Sequence, residues 1–177
     1  MLLIGLGGVG RAVARLLDAA GVEVTGAGRT ERGRDVPGVT SYVAVERIGE
    51  VLPGIDALIL ACPLTEQTRH LITDHELRLM PPGAVVVNIS RGPVIDEDAL
   101  VSALRSHLAG ACLDVFATEP LPADSPLWAM DNVIISPHSA STVAAENGLL
   151  TELFTDNLQR WLAGRPLRNL YDRAAGY

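Results

Sequence analysis

Gly5-Leu6-Gly7-Gly8-Val9-Gly10 follows the apolar Leu2-Leu3-Ile4, and the reading of this stretch decides the fold. Beyond it, Val13, Leu16 and Leu17 recur at helical spacing while Arg11 and Arg15 face elsewhere, which predicts a helix over 11–20 closed by Gly21. A strand that turns sharply into a helix through G-x-G-x-x-G assigns each glycine a task. Gly5 allows the tight turn, Gly7 lets backbone approach a pyrophosphate, and Gly10 permits close helix–strand packing. Gly8 and Val9 complete a loop whose N–H groups and helix dipole favour phosphate. Glycine-rich turns are common, but this one sits in a strand–loop–helix–strand setting, which points to dinucleotide binding.

The same alternation runs outward to the end of the chain. Strands are predicted over 22–26 and 39–45, with a short helix over 46–52 that stops at Pro53-Gly54. The continuous apolar runs 57–61 and 84–88 read as strands covered on both faces. Helices are expected over 74–80, halted by Pro81-Pro82-Gly83, and over 97–107, capped by Asp96. Strands over 110–115 and 132–136 precede a last helix over 142–163. Strands alternating with helices predict an α/β fold, a Rossmann-type doubly wound parallel sheet with helices on both faces.

Composition narrows the function classes. At 177 residues and 48% apolar content the chain is sized for one globular domain, taken as residues 1–177. Its net charge of −7 gives no general pull toward nucleic acid or anionic lipid, and neither is expected as a partner. No apolar run nears the roughly 20 residues of a membrane-spanning helix, and no export signal is visible, so a cytoplasmic setting is expected. All 14 basic residues are arginines, which excludes lysine chemistry from this chain. Cys62 and Cys112 read as buried free thiols. No Cys/His/Asp cluster has metal-ligand spacing, so no metal is expected. His70, His75 and His107 receive no role, and Trp128 and Trp161 read as packing or interface residues.

The end of the second strand bears on cofactor choice. A carboxylate there would bind the adenosine ribose hydroxyls. The chain instead reads Gly26-Ala27-Gly28-Arg29-Thr30, with Arg32 and Arg34 close behind. Guanidiniums can pair with a 2′-phosphate, which favours NADP over NAD; a solvated basic loop is the alternative.

Ligands of open α/β sheets sit beyond the carboxyl ends of the strands. Arg91, Glu119 and His138 each follow a strand of the second half of the sheet, and so share the edge of the glycine loop. A guanidinium can grip a carboxylate or carbonyl oxygen, an imidazole can exchange a hydroxyl proton near neutral pH, and a carboxylate can orient that imidazole. Singly, Arg91 could pair with Asp96 or Glu97, Glu119 could be an exposed loop acid, and His138 a satisfied buried histidine. Their joint placement argues for carbonyl reduction by hydride transfer.

These residues also carry a resemblance. Gly5–Gly10, Asn88-Ile89-Ser90-Arg91-Gly92-Pro93, Leu113-Asp114-Val115-Phe116 with Glu119-Pro120, and Ser136-Pro137-His138 together resemble the D-2-hydroxyacid dehydrogenases. Ala61-Cys62-Pro63-Leu64-Thr65 with Thr68 is similar to that family's cofactor-contacting segment. The resemblance implies Arg91 as the substrate-binding arginine, Glu119 and His138 as the acid–base pair, and Asp114 near the nicotinamide. It also implies cofactor contacts from Cys62, Pro63, Thr68, Ile89, Ser90, Arg91, His138, Ser139 and Ala140, beside the glycine loop and Gly28, Arg29 and Thr30. The implied partners are a 2-keto or 2-hydroxy acid and a second copy in a homodimer, with the 121–130 loop in the contact. The NADP-leaning loop tilts the expectation toward a glyoxylate or hydroxypyruvate reductase.

Family members place a substrate-recognition domain of about a hundred residues before the glycine loop. Here Met1 already opens the first strand, and 165–177 resembles the tail that returns to that domain. The expectation is a truncated form holding the cofactor domain. The alternatives are a non-catalytic dinucleotide-binding module or sensor, resembling the family's corepressor relatives, and a partner chain that supplies the missing domain.

Overall fold

The structure, a computed structural model, describes residues 1–29 and 35–173. Strands β1 (Leu2–Ile4), β2 (Thr25–Gly28), β3 (Ser41–Ala44), β4 (Ala57–Leu60), β5 (Val85–Asn88), β6 (Gly110–Leu113) and β7 (Val133–Ile135) form one sheet. The order is β3-β2-β1-β4-β5-β6-β7, and every pairing is parallel. The order reverses between β1 and β4, the switch point at which doubly wound sheets bind ligands. The Rossmann-type reading therefore holds.

The helices are α1 (Gly8–Ala19), α2 (Asp74–Leu79), α3 (Glu97–Leu104) and α4 (Glu146–Leu162). Among the described residues no helix is long and apolar enough to cross a membrane. Helix α1 begins three residues earlier than the side-chain pattern predicts, because Gly7 caps it and glycines occupy its first turn. It ends as expected: Gly21 is left-handed, and the N–H groups of Gly21 and Val22 return to the carbonyls of Asp18 and Leu17. Leu16, expected on the buried stripe, is instead 72% exposed, while Gly10 and Ala14 make the packed face.

Strand β2 runs to Gly28 rather than stopping at Gly26. Its pairing with β1 opens at Leu2↔Thr25, so Val22 and Val24 lie on the approach to the strand although Val24 is buried. The predicted helix over 46–52 is a 3-10 turn, Val45–Glu50, followed by a second turn containing Pro53. Asp96 caps α3 by accepting the Ala99 N–H, as the sequence predicts. Helix α4 starts at Glu146 rather than Thr142, with no side-chain cap at Ala145.

Adjacent residues of β1 and β4 serve opposite faces of the sheet. Leu2, Ile4, Leu58 and Leu60 join Val86, Leu100 and Leu113 in the larger core, whereas Leu3 and Ile59 join Ala14, Val24 and Val36 in the smaller. Cys62 is buried, Cys112 half-buried, and both thiols are free.

The chain divides into two compact units, Met1–His138 and Ser139–Tyr177. The second is built on α4. Asn157 exchanges two hydrogen bonds with the backbone of Arg168, and Asp156 pairs with Arg160 and Arg168, which ties the following segment to the helix. Leu150, Phe154, Leu158 and Trp161 form an exposed stripe along it.

Candidate active site

The corner between β1 and α1 is shaped by contacts that exclude side chains. Gly5 is left-handed (φ 98°), and a Cβ there would lie 2.5 Å from the Cys62 nitrogen. A Cβ on Gly10 would lie 1.8 Å from the Gly5 carbonyl oxygen. These two glycines let the β1 and β4 loops and the start of α1 meet. Gly7 and Gly8 have no atom within 4 Å of an added Cβ, so nothing within the fold demands glycine there. Their bareness leaves the first-turn N–H groups accessible; the cap residue supplies no side-chain hydrogen bond, and the turn holds no acid. Such a cradle fits a dinucleotide pyrophosphate. Val9 is exposed beside it.

At the end of β2 the Gly28 carbonyl accepts the Tyr42 hydroxyl at 2.7 Å, which leads directly to exposed Arg29. The Arg29 guanidinium donates to Gln67 Oε1 at 3.4 Å, reaching toward the loop after β4. Thr30, Arg32 and Arg34 lie outside the described residues. In the 62–68 loop, burial pushes the Cys62 thiol up to about 11, so it is a neutral packing group at pH 7. The buried Thr68 hydroxyl accepts the Thr65 N–H and donates to the Pro63 carbonyl, both at 2.7 Å, and so shapes the loop from within.

After β5 the buried Asn88 organises the loop that carries Arg91. Its Oδ1 accepts the Ser90 N–H at 3.0 Å and the Ser90 hydroxyl at 2.6 Å, and its Nδ2 donates to the Arg91 carbonyl at 3.2 Å. Ile89 N–H donates to the Leu60 carbonyl. Exposed Arg91 donates through Nη1 to the Ser90 carbonyl and forms no ion pair with Asp96 or Glu97. Those two acids are engaged elsewhere, Asp96 with Ala99 and Glu97 with the Ala117 N–H. Gly92 follows; a Cβ there would lie 1.9 Å from the carbonyl of Phe116, so the Arg91 loop rests directly on the loop after β6.

That second loop holds the acid. Glu119 Oε1 accepts the Phe116 N–H at 3.0 Å and Oε2 faces His138 Nδ1 at 2.7 Å. Burial raises the Glu119 pKa, but hydrogen bonds from His138 and Phe116 and the charges of His138 and Arg91 outweigh it and hold the carboxyl below its ordinary value. His138 adopts a left-handed conformation (φ 53°) that residues with side chains rarely occupy, and its side chain is 42% exposed. It is neither buried nor unpaired. Between the two loops, the Ser136 hydroxyl donates to Asp114 Oδ1 at 2.6 Å, and the Asp114 N–H donates to the Asn88 carbonyl. Ser139 and Ala140 open the second unit, where the Ser139 carbonyl accepts the Thr142 N–H.

On this sheet edge Glu119 pairs with His138, Asp114 pairs with Ser136, and the Arg91 charge acts on the Glu119 carboxyl. Sequence reasoning named Arg91, Glu119, His138 and Asp114 but missed the residues that hold them: Asn88, Gly92, Glu97 and Ser136. One signal was available. Asparagine disfavours strands, so its place at the end of a Val-Val-Val run marks a structural duty. Elsewhere, His107 bridges Ser106 and the Leu77 carbonyl, a packing arrangement. In the 121–130 loop Leu127 is buried while Trp128 is exposed.

Comparison with known proteins gives the family. Residues 1–140 match the model of the D-isomer specific 2-hydroxyacid dehydrogenase, NAD binding domain. The (S)-sulfolactate dehydrogenase of Chromohalobacter salexigens is 39% identical over 164 residues, 92% of this chain and 53% of that protein. The glyoxylate reductase of Thermofilum pendens is 39% identical over 163 residues, covering 92% of this chain and 48% of the relative. The chain therefore spans about half the length of these relatives. Among solved structures, a D-isomer specific 2-hydroxyacid dehydrogenase from Xanthobacter autotrophicus Py2, in complex with NADPH and MES, superposes with a TM-score of 0.91 at 41% identity. The match covers 100% of this chain and 72% of that one. The NADPH-dependent glyoxylate/hydroxypyruvate reductase of Sinorhizobium meliloti, in complex with NADP and sulfate, gives 0.92 at 31% identity, covering 99% and 56%. This chain belongs to the D-isomer specific 2-hydroxyacid dehydrogenase family and carries its NAD binding domain.

Proposed function

We propose that this chain is the cofactor-binding and acid–base part of an NADPH-preferring reductase acting on small 2-keto acids, and reversibly on the 2-hydroxy acids. The observation that carries the reading is the Glu119–His138 pair at 2.7 Å, with the second Glu119 oxygen pinned by the Phe116 N–H. The dinucleotide would be held by the Gly5–Gly10 loop and by Arg29, whose guanidinium suits a 2′-phosphate. That preference accords with the NADPH and NADP bound in the Xanthobacter and Sinorhizobium structures. When bound, the cofactor supplies a hydride to the carbonyl carbon.

The chain's own residues supply the rest. Arg91 offers fixed N–H donors and positive charge to the substrate carboxylate and to the carbonyl oxygen as charge develops there. His138 spends Nδ1 on Glu119, leaving Nε2 to give a proton to that oxygen in reduction and to take it back in oxidation. Glu119, held below its ordinary pKa and so ionised at neutral pH, orients the ring through Nδ1. Asp114, buried and bonded to Ser136, would stand near the nicotinamide. A guanidinium beside an imidazole suits an acid bearing an adjacent carbonyl; glyoxylate and hydroxypyruvate are the first substrates to try. We place the protein in a reducing cytoplasm, in keeping with its two free thiols. A homodimer using exposed Trp128 belongs to the same proposal.

The test is oxidation of NADPH by the chain in the presence of glyoxylate or hydroxypyruvate. Turnover that vanishes in His138→Ala supports the reading. Cofactor binding without turnover in the unaltered chain refutes catalysis by this chain alone and leaves a dinucleotide-binding module.

A further inference from the structure

Three consecutive backbone groups at Phe116 and Ala117 are held by three different residues. The Phe116 N–H donates to Glu119 Oε1 at 3.0 Å. The Phe116 carbonyl stands against the Gly92 backbone, where an added Cβ would lie 1.9 Å away. The Ala117 N–H donates to Glu97 Oε2 at 2.9 Å. Glu97 is the first residue of α3, twenty positions from its partner, and α3 needs it for neither of the usual reasons. Asp96 already caps the helix, and Asp98 supplies a second acid to its first turn. A charge-assisted bond to a loop N–H is among the stronger single constraints a surface carboxylate can impose.

We propose that Glu97 is a positioning residue: it latches the 116–119 turn against Gly92 and so fixes where Glu119 stands relative to Arg91. The inference rests on the reading of Arg91, Glu119 and His138 as the working set. It adds a residue from a different helix, outside the strand-end loops, whose function is exerted entirely through Glu119. Asn88 holds the other loop of the same contact, through Ser90 and the Arg91 carbonyl. Each loop thereby has its own side-chain anchor and meets the other at Gly92.

The test compares the unaltered chain with Glu97→Ala and Glu97→Gln, using the pH titration of the Phe116 amide by NMR. That amide donates to Glu119 and reports its ionisation, and the charged groups facing Glu119 are His138 and Arg91. Thermal unfolding of all three proteins verifies that they are folded. In the unaltered chain the midpoint is expected below about 4.3, the ordinary glutamate value. Loss of the latch in Glu97→Ala should move it upward, with Ala117 amide exchange faster by about tenfold, the scale of one hydrogen bond. Removing the Glu97 charge alone would relieve repulsion and move the midpoint downward in both variants, the opposite sign. Gln keeps the acceptor oxygen, so Glu97→Gln should show no upward shift and slow Ala117 exchange. An unshifted or lowered midpoint in Glu97→Ala, or identical behaviour of the two variants, would overturn the proposal. In turnover, Glu97→Ala should lower kcat by about tenfold with NADPH affinity unchanged, as expected when a reacting group is misplaced. Absence of turnover in the unaltered chain would refute the catalytic reading, while the amide titration still decides the latch.

Discussion

The two halves of the sheet edge build their sites by opposite means. At the β1–α1 corner, atoms approach because side chains are missing: Gly5 and Gly10 permit contacts that any Cβ would block, and Gly7 and Gly8 leave the helix end bare. At the loops after β5 and β6, side chains do the positioning: Asn88, Glu97 and Ser136 are each bonded to the segment or residue they hold. Gly92 is the exception that joins the two styles, a glycine serving a wired site. The lesson is that a phosphate cradle needs only backbone and space, whereas an acid–base pair needs fixed side chains, and those require supports.

This contrast can be broken most sharply at the glycines. Gly10→Ala and Gly92→Ala each drive a Cβ into backbone, and each is expected to cost about 3 kcal/mol, or roughly 6–12 °C in Tm. Gly7→Ala, with open space around it, should stay within about 0.5 kcal/mol while weakening NADPH binding. Thermal unfolding with a parallel cofactor titration separates the two classes; a tolerated Gly92→Ala would show that the loops are not in register as described. Next, Asn88→Ala leaves the buried Ser90 N–H without its partner and removes one of the two donors, Asn88 and Val94, on the Arg91 carbonyl. Its expected cost is about 2 kcal/mol in denaturant unfolding, and an undiminished midpoint would deny Asn88 its role.

A smaller effect tests the cradle's edge. Arg29→Ala should lower the preference for NADPH over NADH by about tenfold, the value of one charge-assisted contact, while NADH binding is held. Equal losses for both cofactors would assign Arg29 to the loop rather than to the phosphate. The smallest effect concerns pH. The Glu119 pKa is depressed in the folded chain, so its contribution to stability is fully present above the ordinary carboxylate value of about 4.3. That contribution is lost as pH falls through the folded value. Glu119→Gln should therefore destabilise the chain at pH 7, and the gap to the unaltered chain should close on acidification. A gap that widens in acid would reverse the assigned sign.

The contrast also explains what could be read before the structure. The glycine corner is local: turn, approach and packing follow from six adjacent residues and the periodicities on either side. The parallel sheet followed from the alternation of apolar runs and helical stripes. Arg91, Glu119 and His138 were legible as chemistry at strand ends, because a parallel sheet collects those ends on one edge. Their supports were not. Glu97 meets Ala117 across twenty positions, and Ser136 meets Asp114 across 22, separations at which no periodicity connects partners. Boundaries failed where pairing rather than hydrophobicity sets the limit. Val22 and Val24 look like strand residues, yet the ladder begins at Thr25. Leu16 lies on the apolar stripe of α1 and remains exposed, because the contact with the sheet is made by Gly10 and Ala14.

We read the β1–α1 corner as a dinucleotide cradle on the same edge as the Arg91–Glu119–His138 group. Titration of the chain with NADPH, followed by nicotinamide fluorescence and repeated with NADH, tests it most directly. Saturable binding of one dinucleotide per chain is expected, tighter for NADPH, and weakened in Gly7→Ala without loss of folding. Absence of saturable binding to either dinucleotide by the folded chain would contradict it.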